Sequence, residues 1–226
     1  PAADVSALAF SSDGSRFITG TVTSIVETWD VRSGKQIHST TVGDPIQSIA
    51  AGPSGVALGT FDKIILLDAN AEQKVTDWES PGENQFLTFN SDGSLLASAN
   101  SSGQIKIWKP DNKGYSLEHT LTRQQPYSMT FDPKSNMLAV GSTGNVYIID
   151  ASSGKEVSRI AHRGNVHDVS FPPNEKTLAT ASLKVLQLWD VTVPPNSIPD
   201  DIVQATCSRL TDNFGKSEWQ GMFGSD

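Results

Sequence analysis

Val5-Ser6-Ala7-Leu8-Ala9-Phe10 is a short alternating segment that returns four more times along the chain, at 46–51, 85–89, 127–131 and 166–171. Its anchors Phe10, Ala51, Phe89, Phe131 and Phe171 are spaced 41, 38, 42 and 40 residues apart. A second anchor keeps the same step. Trp29-Asp30, Leu67-Asp68, Trp108-Lys109, Ile149-Asp150 and Trp189-Asp190 begin 38, 41, 41 and 40 residues apart. Chance does not hold two anchors in register over five copies, so the chain is built of repeats of about forty residues.

Each copy divides into four short strands, predicted in the first at Val5–Phe10, Arg16–Thr21, Ile25–Val31 and Gln36–Val42. Alternation such as Ile105-Lys106-Ile107-Trp108 marks a half-buried third strand. The turns between first and second strands are Ser12-Asp13-Gly14, Pro53-Ser54-Gly55, Ser91-Asp92-Gly93, Pro133-Lys134-Ser135-Asn136 and Pro173-Asn174-Glu175. These residue types accept or preset the backbone angles a tight hairpin needs. Arg32-Ser33-Gly34-Lys35 and Ser152-Ser153-Gly154-Lys155 form near-identical turns after the third strand. One small sheet cannot cover both its faces, but sheets packed face to face about an axis cover one another, which is the β-propeller. The fold expected is therefore all-β, with about five four-stranded antiparallel blades at 5–43, 44–82, 83–124, 125–164 and 165–193. Trp29, Leu67, Trp108, Ile149 and Trp189, at the ends of the third strands, are the expected wedges between blades.

Bulk properties narrow the function classes. Net charge is −8, from 25 acidic and 17 basic residues, and no basic cluster offsets it, which argues against nucleic acid as partner. No apolar run approaches the roughly 18 residues of a membrane span, and the first residues show no signal-peptide pattern. Cys207 stands alone and cannot form an internal disulfide, which favours a reducing, cytoplasmic setting.

With its period and its Trp-Asp endings, the chain resembles the WD-repeat family from Val5 to about Val193. The resemblance implies a network in each repeat of a His, a Ser or Thr, an Asp and the Trp. Only the fifth copy has the His, His162, with Thr180 or Ser182 as its partner and Trp189 as anchor; its turn at Leu183-Lys184 lacks the Asp. The blades are thus expected to depend on packing more than on polar networks. The resemblance also implies that the ring closes with a strand borrowed from the N-terminus, and Pro1-Ala2-Ala3-Asp4 is too short to supply one. Upstream sequence, including further blades of a larger propeller, is accordingly expected, with a self-contained five-bladed ring as the alternative. Residues 194–226 are not a repeat. A short helix is expected from Asp200-Asp201 to about Leu210, with Ser217 as the cap of a final turn. Phe214, Trp219, Met222 and Phe223 are expected to pack the tail onto the propeller. The run Cys207-Ser208-Arg209-Leu210, Asn213-Phe214, Glu218-Trp219 resembles the closing segment of bacterial multidomain WD-repeat proteins, which implies an upstream effector domain in the same polypeptide.

For chemistry the sequence offers little. No phosphate-binding loop, GxGxxG or HExxH motif occurs. Cys207 has no histidine near it in sequence, and His162 and His167 flank a turn, so neither a catalytic site, a metal site nor a cofactor is expected. The surface remains. Equivalent positions of successive copies line up around a propeller axis, and four residues before the anchors stand Ser6, Gln47, Gln85, Tyr127 and His167. WD-repeat proteins often bind partners at that end of the channel. Arg123, Gln124 and Arg163 in adjoining loops would add donors for acidic or backbone groups. The leading expectation is a protein-interaction, scaffold or sensor module of a larger cytosolic signalling or defence protein. The alternative is a small-ligand or hydrolytic propeller, because Asn145–Asp150 with Gly154-Lys155 resembles lactonase and surface-layer repeats.

Overall fold

Seventeen β-strands account for the described residues of the computed structural model, which are 4–112, 114–172, 177–183 and 185–191. The expectations for the tail, including its helix and its packing on the propeller, and for the turn at 173–175 lie outside them.

The first repeat forms β1 Val5–Phe10, β2 Arg16–Thr21, β3 Ile25–Asp30 and β4 Gln36–Thr41. The second forms β5 Ser48–Gly52, β6 Gly55–Gly59, β7 Lys63–Leu67 and β8 Lys74–Glu79. The third forms β9 Asn84–Phe89, β10 Leu96–Asn100, β11 Gln104–Asp111 and β12 Gly114–Thr122. Each set is an antiparallel sheet in sequence order. The remaining strands are β13 Pro126–Phe131, β14 Met137–Asp150, β15 Lys155–Ser170, β16 Thr177–Ser182 and β17 Leu186–Asp190, joined in one sheet in that order. There are thus four hydrogen-bonded sheets for five repeats.

The difference lies in two long strands. β14 serves two positions: its start pairs with β13, its end with β15, and the Ala151 amide donates to the Asn136 carbonyl at 3.0 Å. The strand therefore folds back on itself at Thr143-Gly144, where Gly144 has φ 70°. β15 runs from the outer edge of the fourth repeat to the inner edge of the fifth, pairing with β14 over Lys155–Ala161 and with β16 from Val166 onward. Between these stretches the ladder shifts register: Ala161 pairs with Asn145 and Asn165 with Thr143, and Gly164 between them has φ 103°. The fifth repeat has three strands among the described residues: the end of β15, β16 and β17.

The turn chemistry explains the second letter of the Trp-Asp pair. Asp30 Oδ1 accepts from the Ser33 amide at 2.7 Å, Asp68 Oδ1 from the Glu72 amide at 2.8 Å, and Asp150 Oδ1 from the Ser152 amide at 2.9 Å. These carboxylates cap the turn into the outer strand. Gly34 and Gly154, in the two near-identical turns, both have φ 66°, which costs glycine little. Repeat three has Lys109 instead, and there the hairpin runs on through Pro110↔Tyr115 and Asp111↔Gly114.

The core sits between sheets. Ile18 and Val26 of the first repeat pack against Val56, Leu58, Ile65 and Leu67 of the second. Ala57, Ile64 and Leu66 then meet Leu96, Trp108 and Tyr115 of the third. Ala97, Ile105 and Ile107 meet Leu138, Val140 and Ile149 of the fourth. Leu67, Trp108 and Ile149 are the expected wedges and are buried. Trp29 departs from that expectation. Ile18 turns toward repeat two, so strand alternation puts Phe17 and Trp29 on the other face, where their rings stack at 5.7 Å. No sheet precedes β1 among the described residues, so Trp29 is half-buried and wedges against none. Trp189 is also half-buried, because no strand follows β17 there.

Polar links are more persistent than the sequence suggests. Trp29 Nε1 donates to Thr19 Oγ1 at 3.2 Å, Trp108 Nε1 to Ser98 Oγ at 2.9 Å and Trp189 Nε1 to Thr180 Oγ1 at 2.9 Å. The Trp–hydroxyl bond thus stands in repeats one and three without the histidine.

Candidate functional site

The inner strands β1, β5, β9 and β13 pack against one another in succession, with the second half of β15 completing the series. Their side chains enclose a cavity of about 320 Å³, open to solvent. Ser6, Gln47, Gln85, Tyr127 and His167 all line it, one from each repeat. Two positions further along the strands, Leu8, Ile49, Leu87 and Met129 also line it, so a polar ring sits beside an apolar collar. Period-two alternation produces this layering: both positions face the axis, and the intervening one turns partly toward the neighbouring sheet.

The ring residues are not equally free. Ser6 Oγ donates to the Ile46 carbonyl at 2.6 Å and sits within reach of the Gly20 carbonyl at 3.1 Å, which ties β1 to the next repeat. Gln85 Nε2 donates to Glu83 Oε2 at 3.1 Å. The Tyr127 and His167 rings lie 5.2 Å apart, tilted by 55°, and the Tyr127 hydroxyl accepts from Asn165 Nδ2 at 3.0 Å. Asp168, which the sequence reading passed over, lines the cavity too. Its Oδ1 accepts from Ser128 Oγ at 2.9 Å and from the Val169 amide at 2.9 Å. The signal for it was present: the third position of the inner strand is Ala7, Ser48, Phe86 and Ser128 elsewhere, and only repeat five carries a charge.

The three loop residues fall elsewhere. Arg123, Gln124 and Arg163 do not line the cavity. Arg123 has contacts of its own within the fold: its guanidinium pairs with Glu156 at 3.0 Å and lies over the Tyr147 ring at 5.3 Å. Arg159 covers the same ring at 4.9 Å and meets Glu156 at 2.9 Å. Arg123 is thus consumed in a clamp between repeats three and four. Gln124 is exposed, and its carbonyl accepts from Ser142 Oγ at 2.7 Å. Arg163 is exposed on the loop side of β15.

Sequence reasoning also missed Asn84, buried between repeats two and three. Its Nδ2 donates to the Thr60 and Ser80 carbonyls, each at 2.9 Å, and its Oδ1 accepts from Ser80 Oγ at 2.7 Å. Its own carbonyl accepts from Ser48 Oγ at 2.6 Å.

His162 and His167 part company. His162 Nε2 lies 2.8 Å from Thr180 Oγ1, and its ring meets Trp189 at 5.6 Å edge-on. Burial holds this imidazole below its ordinary pKa. The unfolded chain takes up the proton near pH 6.5 while the folded one resists it, so the fifth repeat's stability is fully present above that pH and is lost as pH falls through the folded pKa. We expect Trp189 fluorescence to report earlier opening of this repeat at pH 5 than at pH 7.5, and His162→Gln to flatten that difference. An unchanged pH dependence in the variant would assign it to another group.

No group of three His, Cys, Asp or Glu side chains converges among the described residues. A second hollow of about 450 Å³ lies under the extended β11–β12 hairpin, between Val75 and Tyr115.

Successive antiparallel sheets around a shared, side-chain-lined channel give the described residues the architecture of a β-propeller. The family model described as "WD domain, G-beta repeat" matches residues 1–30, 85–109 and 154–190. Those segments end in or contain Trp29, Trp108 and Trp189; the two repeats ending in Leu67 and Ile149 go unmatched. Among known proteins, the chain is 31% identical over 121 residues to the small ribosomal subunit protein RACK1z of Oryza sativa subsp. japonica, covering 49% of this chain and 36% of that protein. It is 27% identical over 141 residues to the ribosome biogenesis protein YTM1 of Candida glabrata, covering 58% and 30%. It therefore spans about a third of the length of these relatives. Among solved structures, a chain of the "Crystal Structure of Mitotic Checkpoint Complex" superposes with a TM-score of 0.75 at 19% identity, over 84% of this chain and 61% of that one. That likeness is one of fold.

Proposed function

We propose that the chain is a protein-interaction module, a scaffold or sensor whose partner seats a segment at the mouth of the channel. The observation that carries this reading is the convergence of one repeat position, Ser6, Gln47, Gln85, Tyr127 and His167, on a single open cavity. The cavity is of the size that holds a few side chains or a small ligand. Gln47, Gln85 and Tyr127 bring amides and a phenol suited to a peptide backbone, and aromatic residues dominate interface energetics. The relatives support the reading, since one is named as a small ribosomal subunit protein, another as a ribosome biogenesis protein, and the structural neighbour is a chain of a complex. A cytosolic place within a larger signalling or defence protein, with an effector domain of the same polypeptide as one partner, fits the lone Cys207 and the tail's resemblance.

Affinity capture followed by mass spectrometry tests this. The native chain and a Tyr127→Ala/His167→Ala double variant, matched for fold by circular dichroism, are compared on the same extract. Both positions are half-buried or exposed, so the variant is expected to fold. A partner seated on the mouth should fall by about tenfold or more, since ~1.4 kcal/mol suffices for that. Equal recovery of every captured protein would sink the reading.

A further inference from the structure

Resting on that reading, we propose that the segment seated in the channel mouth is basic: a Lys or Arg drawn to Asp168 beside Tyr127, with an adjacent apolar residue entering the collar of Leu8, Leu87 and Met129.

The sequence alone points the other way, because Arg123 and Arg163 suggest an acidic ligand. The structure reverses the sign. Arg123 is paired with Glu156, which it shares with Arg159, and is held over Tyr147, and neither Arg123 nor Arg163 lines the cavity. Among the lining residues Asp168 is the one carboxylate, and no Lys or Arg is present. The ring's fivefold pattern is therefore broken by a single negative charge.

That carboxylate is positioned before any ligand arrives. Ser128 Oγ and the Val169 amide both hold Oδ1, so the exposed carboxylate is fixed in orientation at the cavity wall. Charge-assisted hydrogen bonds to a fixed carboxylate are the strong kind. Tyr127 lies on the neighbouring inner strand and shares the cavity wall, and an aromatic face adds attraction for the same cation. The aliphatic stem of Lys or Arg can cover apolar surface while its head stays at the polar ring. The net charge of −8 acts in the same direction at long range.

Three capped tetrapeptides, Gly-Arg-Leu-Gly, Gly-Gln-Leu-Gly and Gly-Glu-Leu-Gly, provide the test, titrated into the isotope-labelled chain and followed by backbone amide shifts. The arginyl peptide should shift amides of the inner strands and bind about tenfold tighter than the glutamyl one, with the glutaminyl peptide between them. Tenfold is about 1.4 kcal/mol. Asp168→Asn keeps the acceptor for Ser128 and should bring the arginyl and glutaminyl peptides to equal affinity. If the three peptides bind the channel alike, or the glutamyl one binds best, the basic preference is wrong while the channel reading survives. If the arginyl peptide shifts only amides remote from the inner strands, or none, both fall.

Discussion

Trp108→Ala is expected to lower the free energy of unfolding by about 3–5 kcal/mol, the usual cost of emptying a large buried aromatic site. Three contributions add up here. The indole is buried at 4% exposure in the cluster that joins repeats two and three, with Leu66, Leu96 and Tyr115 around it. Its removal leaves a cavity that rigid strands on both sides cannot close. It also leaves Ser98 Oγ, itself buried, without the donor that now reaches it at 2.9 Å. Urea titration monitored by far-ultraviolet circular dichroism measures the loss. Trp189→Ala is the control: the same residue type, donating to the Thr180 hydroxyl at 2.9 Å but half-buried on the last described strand, should cost clearly less. Equal losses at both positions would show that position in the array does not set the energetics.

Asn84 should be the second most sensitive site. Asn84→Ala removes two donors and one acceptor from a buried spot: the Ser80 carbonyl loses its side-chain donor, while the Thr60 carbonyl keeps the backbone amide of residue 84 at 3.0 Å and the Ser80 hydroxyl keeps Lys106 Nζ at 3.3 Å. A buried polar group left unpaired costs about 1–3 kcal/mol, and a loss of about that size is expected. Asn84→Asp tests the cause, because it keeps the shape and loses only the donors. It should be at least as harmful as alanine when the pH is well above the carboxylate range, and should recover in part when acid restores a proton. A fully stable Asn84→Asp at neutral pH would mean that the amide's donors do not matter.

The strands themselves were readable because their cause is local. Alternation, turn residues and the step between Phe10, Ala51, Phe89, Phe131 and Phe171 depend only on neighbours in sequence, and β1 and β2 fall where the pattern places them. The ring of Ser6, Gln47, Gln85, Tyr127 and His167 was legible for a related reason: strict repetition turns sequence position into direction around an axis. What the sequence could not reveal depends on partners far along the chain. Arg123 looks like a free donor until Glu156 and Tyr147 arrive beside it. Asn84 stands where other repeats have Val5, Ile46, Pro126 and Val166, and its value appears only when two carbonyls of the preceding repeat surround its amide. Asp168 reads as one more acidic residue until the arginines are seen to be elsewhere. The Trp–hydroxyl bonds were underestimated because the histidine was treated as their necessary companion, whereas the indole needs just one oxygen.

Sheets one to four share their principal packing with the sheet immediately before or after, and the links through Ser6, Ser48, Asn84 and Arg123 likewise reach one repeat away. Such an array transmits mechanical and thermal disturbance as a short-ranged signal that fades with each step. Among the described residues Ile105 and Ile107 are sealed at 0%, while the matching Leu186 and Leu188 stand 74% and 69% open, so the third repeat resists local opening more than the fifth. The third repeat, which also supplies Gln85 to the channel, lets go after the fifth.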